Sequence, residues 1–260
     1  MGLFKRAYHC FILHQHVLPH QLWRECVEQL AILNGMTAVE KAHLRRLCSL
    51  FLYEKNIVAV QGFEPSRIQS ALIAAQACLP VLNLGLSCLQ GWTDVIVYPG
   101  PFRVSRDSLD SAGVVHSQNR LLSGESWTHG PLILSWSDVE HDMLFSQKGQ
   151  NVVIHEIAHK LDVLNGRCNG YPPLHVNMPI PNWTEIMTEA YENLSAEIEN
   201  LQPGSINSYA ATSPAEFFAV ISEYFFSSPG VLKQRYPAVY QQLQLYYRQD
   251  PWLRFHQIKH

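Results

Sequence analysis

Residues 155–159 read His-Glu-Ile-Ala-His, an H-E-x-x-H pattern. On a helix, histidines at i and i+4 project from one face about one turn apart, so their ring nitrogens can converge on one Zn²⁺. Glu156, beside that point, is then placed to act as general base towards an attacking water. The bland alternative is two core histidines and an incidental glutamate. It would leave three polar groups of an apolar helix in need of separate partners. Lys160 departs mildly from the pattern, an uncharged residue being more usual there. Asp162, three residues after His159, is either a hydrogen-bond partner for a ligand imidazole or a helix-surface charge.

A catalytic zinc takes three protein ligands and keeps one position open. The extended H-E-x-x-H-x-x-G-x-x-H form is absent, because Asp162 and Asn165 hold the required Gly and His places. The third ligand must come from further along. Glu185 and Glu189 follow His159 at the short spacing of thermolysin-like enzymes; Glu216 and Glu223 lie on the next helical stretch. Glu216 has a competing role, since Ser213-Pro214-Ala215-Glu216 reads as a capping box with proline at the first helical position. The apolar run Phe217, Phe218, Val220, Ile221 turns that helix towards a core, so its carboxylate can also point inward. Spacing does not choose among the four glutamates.

Around these residues the hydrophobic period alternates between helix and strand. Val152, Val153, Ile154, Ile157, Ala158, Leu161 and Leu164 predict an apolar active-site helix ending at Asn165-Gly166. Helices are also predicted over 21–34, from the Thr37/Glu40 capping box to Tyr53, from the Ser66/Gln69 box to Cys78, and over 182–199, 214–227 and 236–248. Strand signals fall at 56–61, at 94–98, near 114–116 and at 131–136. The last, flanked by Trp127 and Trp136, is a candidate edge strand for pairing with a peptide backbone, or an ordinary core strand. Residues 166–181, rich in Gly, Pro and Asn, read as a loop. The fold class is α+β, with a small mixed sheet among helices.

Composition narrows the classes. The 260 residues are 47% hydrophobic and 16% charged, which excludes disorder and low complexity. A formal net charge of −3 without a basic run argues against nucleic acid as a partner. Six cysteines without a C-x-x-C pair read as buried thiols of a cytoplasmic protein. Residues 68–92 carry no charge, but Gln69, Gln76, Pro80, Asn83, Gly85 and Ser87 interrupt the run, so a buried helix and loop fit better than a membrane span. The first 20 residues make a poor signal peptide. His9, His14, His16 and His20 read as structural or surface groups, and His129, His141 and His175 as loop residues.

The combination of residues 152–162 (VVIHEIAHKLD), Asn165-Gly166, residues 208–226 (SYAATSPAEFFAVISEYFF), 113–120 (GVVHSQNR) and 123–127 (SGESW) resembles the Mlc titration factor A family of bacterial zinc metallopeptidases. The likeness covers about residues 90–250. It implies that His155, His159 and Glu216 bind one zinc, that Glu156 is the catalytic base, and that the core is zincin-like and related to the catalytic domain of anthrax lethal factor. It implies that His116 is drawn to the metal as an inhibitory or alternative ligand, against the plain role of a satisfied strand histidine. It implies that Tyr209 stabilises the oxyanion, where a buried hydroxyl bonded to backbone is the alternative. Residues 1–260 then form a single domain, with N-terminal helices (about 1–90) on a catalytic core (about 91–260). Aminopeptidase-like activity on peptides and binding to the glucose-responsive repressor Mlc are what the likeness implies for function. The rival reading is a non-catalytic repressor-binding regulator with a structural or vestigial zinc site.

Overall fold

Capping chemistry sets the N-terminal helices. The structure, a computed structural model, describes residues 3–100, 106–109, 115–118, 130–145, 149–201 and 204–256. α1 (Leu3–Gln15) and α2 (His20–Gln29) precede α3 (Ala38–Glu54), and β1 (Asn56–Ala59) precedes α4 (Arg67–Cys78). Thr37 with Glu40, and Ser66 with Gln69, form complete reciprocal capping boxes at the starts of α3 and α4. The single helix expected over 21–34 instead stops at Gln29, and a 3₁₀ turn, Ala31–Leu33, follows. The uncharged stretch is accounted for by burial: every residue from Ala71 to Cys78 is buried. Among the described residues no helix is long and apolar enough to cross a membrane.

β2 (Asp94–Tyr98) and β5 (Leu132–Ser135) complete one sheet with β1, in the order β1-β2-β5. Both pairings are parallel, with Ile57 opposite Val95 and Val95 opposite Leu132. The mixed sheet expected from sequence is therefore corrected. Short apolar runs mark strands but not their direction; a parallel pair needs a crossover, which α4 supplies between β1 and β2. β3 (Arg106–Leu109) and β4 (Val115–Gln118) form a separate antiparallel pair. Trp127 and His129 lie outside the described residues.

β5 runs directly into α5 (Trp136–Leu144), because Ser135 serves both as the last strand residue and as the N-cap accepting Asp138 N–H. This helix was not expected, and it moves His141 from a loop to a helix. α6 (Val152–Asp162) carries the H-E-x-x-H residues and continues as a 3₁₀ turn, Val163–Asn165, stopped by Gly166 at φ +88°. α7 (Ile180–Glu199), a 3₁₀ turn Ser208–Ala211, α8 (Pro214–Ser227), α9 (Pro229–Arg235), α10 (Pro237–Tyr247) and α11 (Pro251–His256) follow. α8 is apolar around most of its circumference and is buried from Ala215 to Ser227, as a central helix must be. α6 packs against α8 on one side and against α4, α5 and β5 on others. Buried apolar side chains from Ile12 to Tyr247 form one continuous cluster.

Candidate metal centre

The N-terminus of α6 is fixed by polar side chains from three other elements. Asn151 caps it, its Oδ1 accepting Ile154 N–H at 2.9 Å, while its side-chain amide donates to Gln76 Oε1 of α4 at 2.7 Å. Asp142 of α5 accepts Val152 N–H at 2.8 Å. Glu223 of α8 accepts Asn151 N–H at 2.5 Å. Acceptors here satisfy helix N–H groups that have no intrahelical partner, and the two carboxylates oppose the positive end of the helix dipole. Together they set the rotation of α6 and so the direction of its histidines.

His155 and His159 face α8, where Glu216 meets both. Glu216 Oε2 lies 3.1 Å from His155 Nε2 and 3.3 Å from His159 Nε2, and the two Nε2 atoms are 3.1 Å apart. Glu216 is 2% exposed. Ser213 caps α8 by accepting Glu216 N–H at 3.2 Å, but the Glu216 carboxylate is aimed at the imidazoles instead of completing a box. Glu185 and Glu189 are exposed on α7 and stand apart from this group.

Glu223, read from sequence as a possible ligand, occupies a different place. His155 Nδ1–H donates to Glu223 Oε1 at 2.8 Å, on the far side of the ring from Glu216. Burial alone would lower the His155 pKa, but Glu216 and Glu223, with the Glu156 charge, outweigh it and hold the imidazole well above its ordinary value. Burial works against the Glu216 carboxylate too, yet the two imidazoles lower its pKa to about 2. The cluster demands a cation. With Nδ1 of His155 committed as a donor, a metal that displaces the Nε2 proton would meet its lone pair beside another Nε2 and a carboxylate oxygen.

That donor set fits a divalent metal. The ligand atoms of His155, His159 and Glu216 all lie within 4.8 Å of one another. Ligands about 2.0–2.1 Å from a tetrahedral zinc sit roughly 3.3 Å apart, which the observed separations approach without rearrangement. Two imidazoles and a carboxylate are also the donor types zinc accepts at catalytic sites.

Tyr209 flanks the centre on the 3₁₀ turn before α8. Its ring centroid is 6.0 Å from that of His155. Burial, then the Glu216 charge, pushes its pKa up, so the hydroxyl keeps its proton and remains a donor. Glu156 follows His155 on α6 and is partly exposed. Lys160 is turned away, its ammonium donating to Gly130 O at 2.7 Å beside the Trp92 indole. Asp162 is fully buried and accepts Gly170 N–H at 2.7 Å, so it is not a surface charge. His116 lies on β4, and its side chain falls outside the described residues.

Several groups went unanticipated. Asn151, Gln76 and Asp142 gave no sequence signal as supports of α6. Glu223 was a candidate ligand, but its place behind His155 was not foreseen; its seven-residue spacing from Glu216, two helical turns, is the signal that puts both on one face of α8. Among the cysteines, Cys26, Cys48 and Cys78 are buried as expected, but Cys10 is exposed and Cys88 and Cys168 are partly so. His9 lies 3.8 Å from Glu54; His14, His16 and His20 are exposed.

A histidine pair on α6 and a glutamate on α8, with a glutamate between the histidines, define the donor arrangement of a mononuclear metallopeptidase. The profile of the glucose-regulated metallo-peptidase M90 family matches residues 4–248. The chain belongs to that family. It is 42% identical over 246 residues to Mlc titration factor A of Escherichia coli (strain 55989 / EAEC), covering 94% of this chain and 90% of that protein. The Shigella sonnei (strain Ss046) protein of the same name gives the same figures. That of Salmonella schwarzengrund (strain CVM19633) is 43% identical over 232 residues, covering 88% of this chain and 86% of its own.

Proposed function

We propose that this protein is a zinc-dependent, aminopeptidase-like peptidase with a zincin-like core, acting in the cytoplasm. The observation that carries the reading is the convergence of His155 Nε2, His159 Nε2 and Glu216 Oε2 on one point of a buried helix pair. Zinc bound there would polarise the scissile carbonyl and acidify the attacking water. Glu156 takes the water proton and later delivers it to the leaving amine. Tyr209 keeps its phenolic proton and donates to the oxyanion as charge develops. His116 is the alternative ligand that would close the open position. β5, paired on one side only among the described residues, is the candidate for holding the peptide backbone.

Family membership supports the peptidase chemistry, and the continuous core supports the reading of 1–260 as one domain. The relatives are named for titrating Mlc, which supports a second role: binding that glucose-responsive repressor and so regulating sugar uptake. Such a regulator works through a protein partner and needs no affinity for DNA. Glu156, between the two histidines, has no use at a purely structural site, which favours the enzyme over the purely regulatory reading.

Glu216→Gln tests the ligand set. The serine cap of α8 uses the Glu216 backbone N–H and survives the change, at a cost of about a kilocalorie or less. A neutral amide replaces a carboxylate poorly on zinc, so binding should weaken at least about a hundredfold. Full zinc occupancy in Glu216→Gln would move the third ligand elsewhere.

A further inference from the structure

The lysine that follows His159 breaks the apolar habit of its helix, and the zinc chemistry makes no use of it. Lys160 lies in the last turn of α6 and is 7% exposed. Its ammonium donates at 2.7 Å to Gly130 O, two residues before β5, and stands 5.5 Å from the centre of the Trp92 ring. Lys55, the residue before β1, places its ammonium 3.7 Å from the same ring and donates to Leu89 O at 2.6 Å and to Trp92 O. Trp92 itself stands two residues before β2. The three strands run parallel, so their entrances lie at one end of the sheet, and the two ammoniums tie that end together.

A buried ammonium is costly unless its hydrogens find acceptors, and methionine would fill the same space without that cost. Lysine therefore serves this position through its donor, which spans from the metal-site helix to a backbone carbonyl at the mouth of β5. The face of Trp92 adds an attraction for both cations. α6 and β5 are also in direct packing contact, so the bond pins two elements that already touch. These contacts leave the side chains of His155, His159 and Glu216 untouched.

We propose that Lys160 is a positioning residue for the substrate: it pins the start of β5 to the last turn of α6, and so fixes the edge of β5 left unpaired among the described residues at the distance from the metal that a bound peptide backbone requires. The inference rests on the reading of β5 as the strand that holds the peptide. Strand addition aligns a whole row of backbone groups, so a small shift of β5 misplaces the scissile bond.

The test compares zinc-loaded wild type, Lys160→Met and Lys160→Gln by calorimetric binding of two hydroxamates. Acetohydroxamate reaches only the metal, whereas trialanine hydroxamate also lies along the strand. Zinc and acetohydroxamate affinities should stay within about twofold of wild type in both variants, since the metal ligands are intact. Trialanine hydroxamate should bind about tenfold more weakly to Lys160→Met, with KM for peptide raised and kcat little changed. Lys160→Gln keeps an N–H donor on a shorter, uncharged arm, and should lose about threefold. Wild-type affinity for trialanine hydroxamate in a folded Lys160→Met, or equal weakening of both hydroxamates, would overturn the proposal. If Lys160→Met does not fold, Lys160→Gln decides by the same comparison. Wild type holding trialanine hydroxamate no better than acetohydroxamate would instead remove β5 as the peptide strand, and the proposal with it.

Discussion

Replacing Glu223 by glutamine changes almost no volume and removes one charge, yet it should impair the metal centre from behind. The carboxylate accepts twice, from His155 Nδ1–H at 2.8 Å and from Asn151 N–H at 2.5 Å. Glutamine has one acceptor oxygen and one NH₂. The backbone N–H of Asn151 cannot change its polarity, so the carbonyl stays there and the NH₂ turns to the imidazole. His155 must then accept at Nδ1 and carry its hydrogen on Nε2, which removes the lone pair facing Glu216. The flipped amide is no better, because it sets two donors against each other at the start of α6. Either way one buried, charge-assisted hydrogen bond is lost, worth about 1.5–3 kcal/mol. Zinc affinity should fall about 10- to 100-fold, the range for outer partners of metal-bound histidines. Chelator competition measures the affinity, and urea unfolding of the metal-free protein measures the stability. Glu189→Gln, at an exposed site on α7, should change neither. Zinc affinity within twofold of wild type in Glu223→Gln would refute the tautomer reasoning.

Two further outcomes concern the frame around the centre. Lys55 is buried against the Leu89 and Trp92 carbonyls and the Trp92 ring, and desolvation lowers its pKa from 10.5 to about 8. Between those values the unfolded chain binds more protons than the folded one, so stability relative to Lys55→Met should rise with pH, by about 2 kcal/mol at pH 9.5. Parallel urea stabilities of the two proteins from pH 7 to 9.5 would contradict it. Gly170 sits at φ +76°, and a Cβ there would lie 2.4 Å from Pro214 O at the start of α8. Gly170→Ala should cost about 2–5 kcal/mol by combining left-handed strain with overpacking, and an unfolding measurement showing less than about 1 kcal/mol would count against that packing.

The helices were legible where caps and period agreed. Thr37 with Glu40 and Ser66 with Gln69 announced α3 and α4, and the apolar period of residues 152–164 announced the site helix. α5 was hidden because Ser135 belongs at once to a strand and to a cap, leaving no loop between the two elements. Strand direction was not readable, since residues 94–98 and 132–135 look alike whichever way they pair. For the site, H-E-x-x-H is written within five residues, but the glutamates are not interchangeable for a reason spacing cannot express. Glu216 and Glu223 share a face of α8, and which side of the His155 ring each meets depends on how α8 lies against α6. Lys160 stood out as a departure from the pattern, but only the folded chain brings its ammonium to Gly130 O.

Glu156 is proposed to perform proton transfer at a zinc centre held by other residues. That role is tested most directly by zinc stoichiometry and peptide hydrolysis measured together for wild type and Glu156→Gln. Both proteins should hold one zinc per chain, and the folded variant should hydrolyse peptide at least about a hundredfold more slowly, the scale of losing a general base. Undiminished hydrolysis by a zinc-loaded Glu156→Gln protein, free of contaminating peptidase, would contradict it.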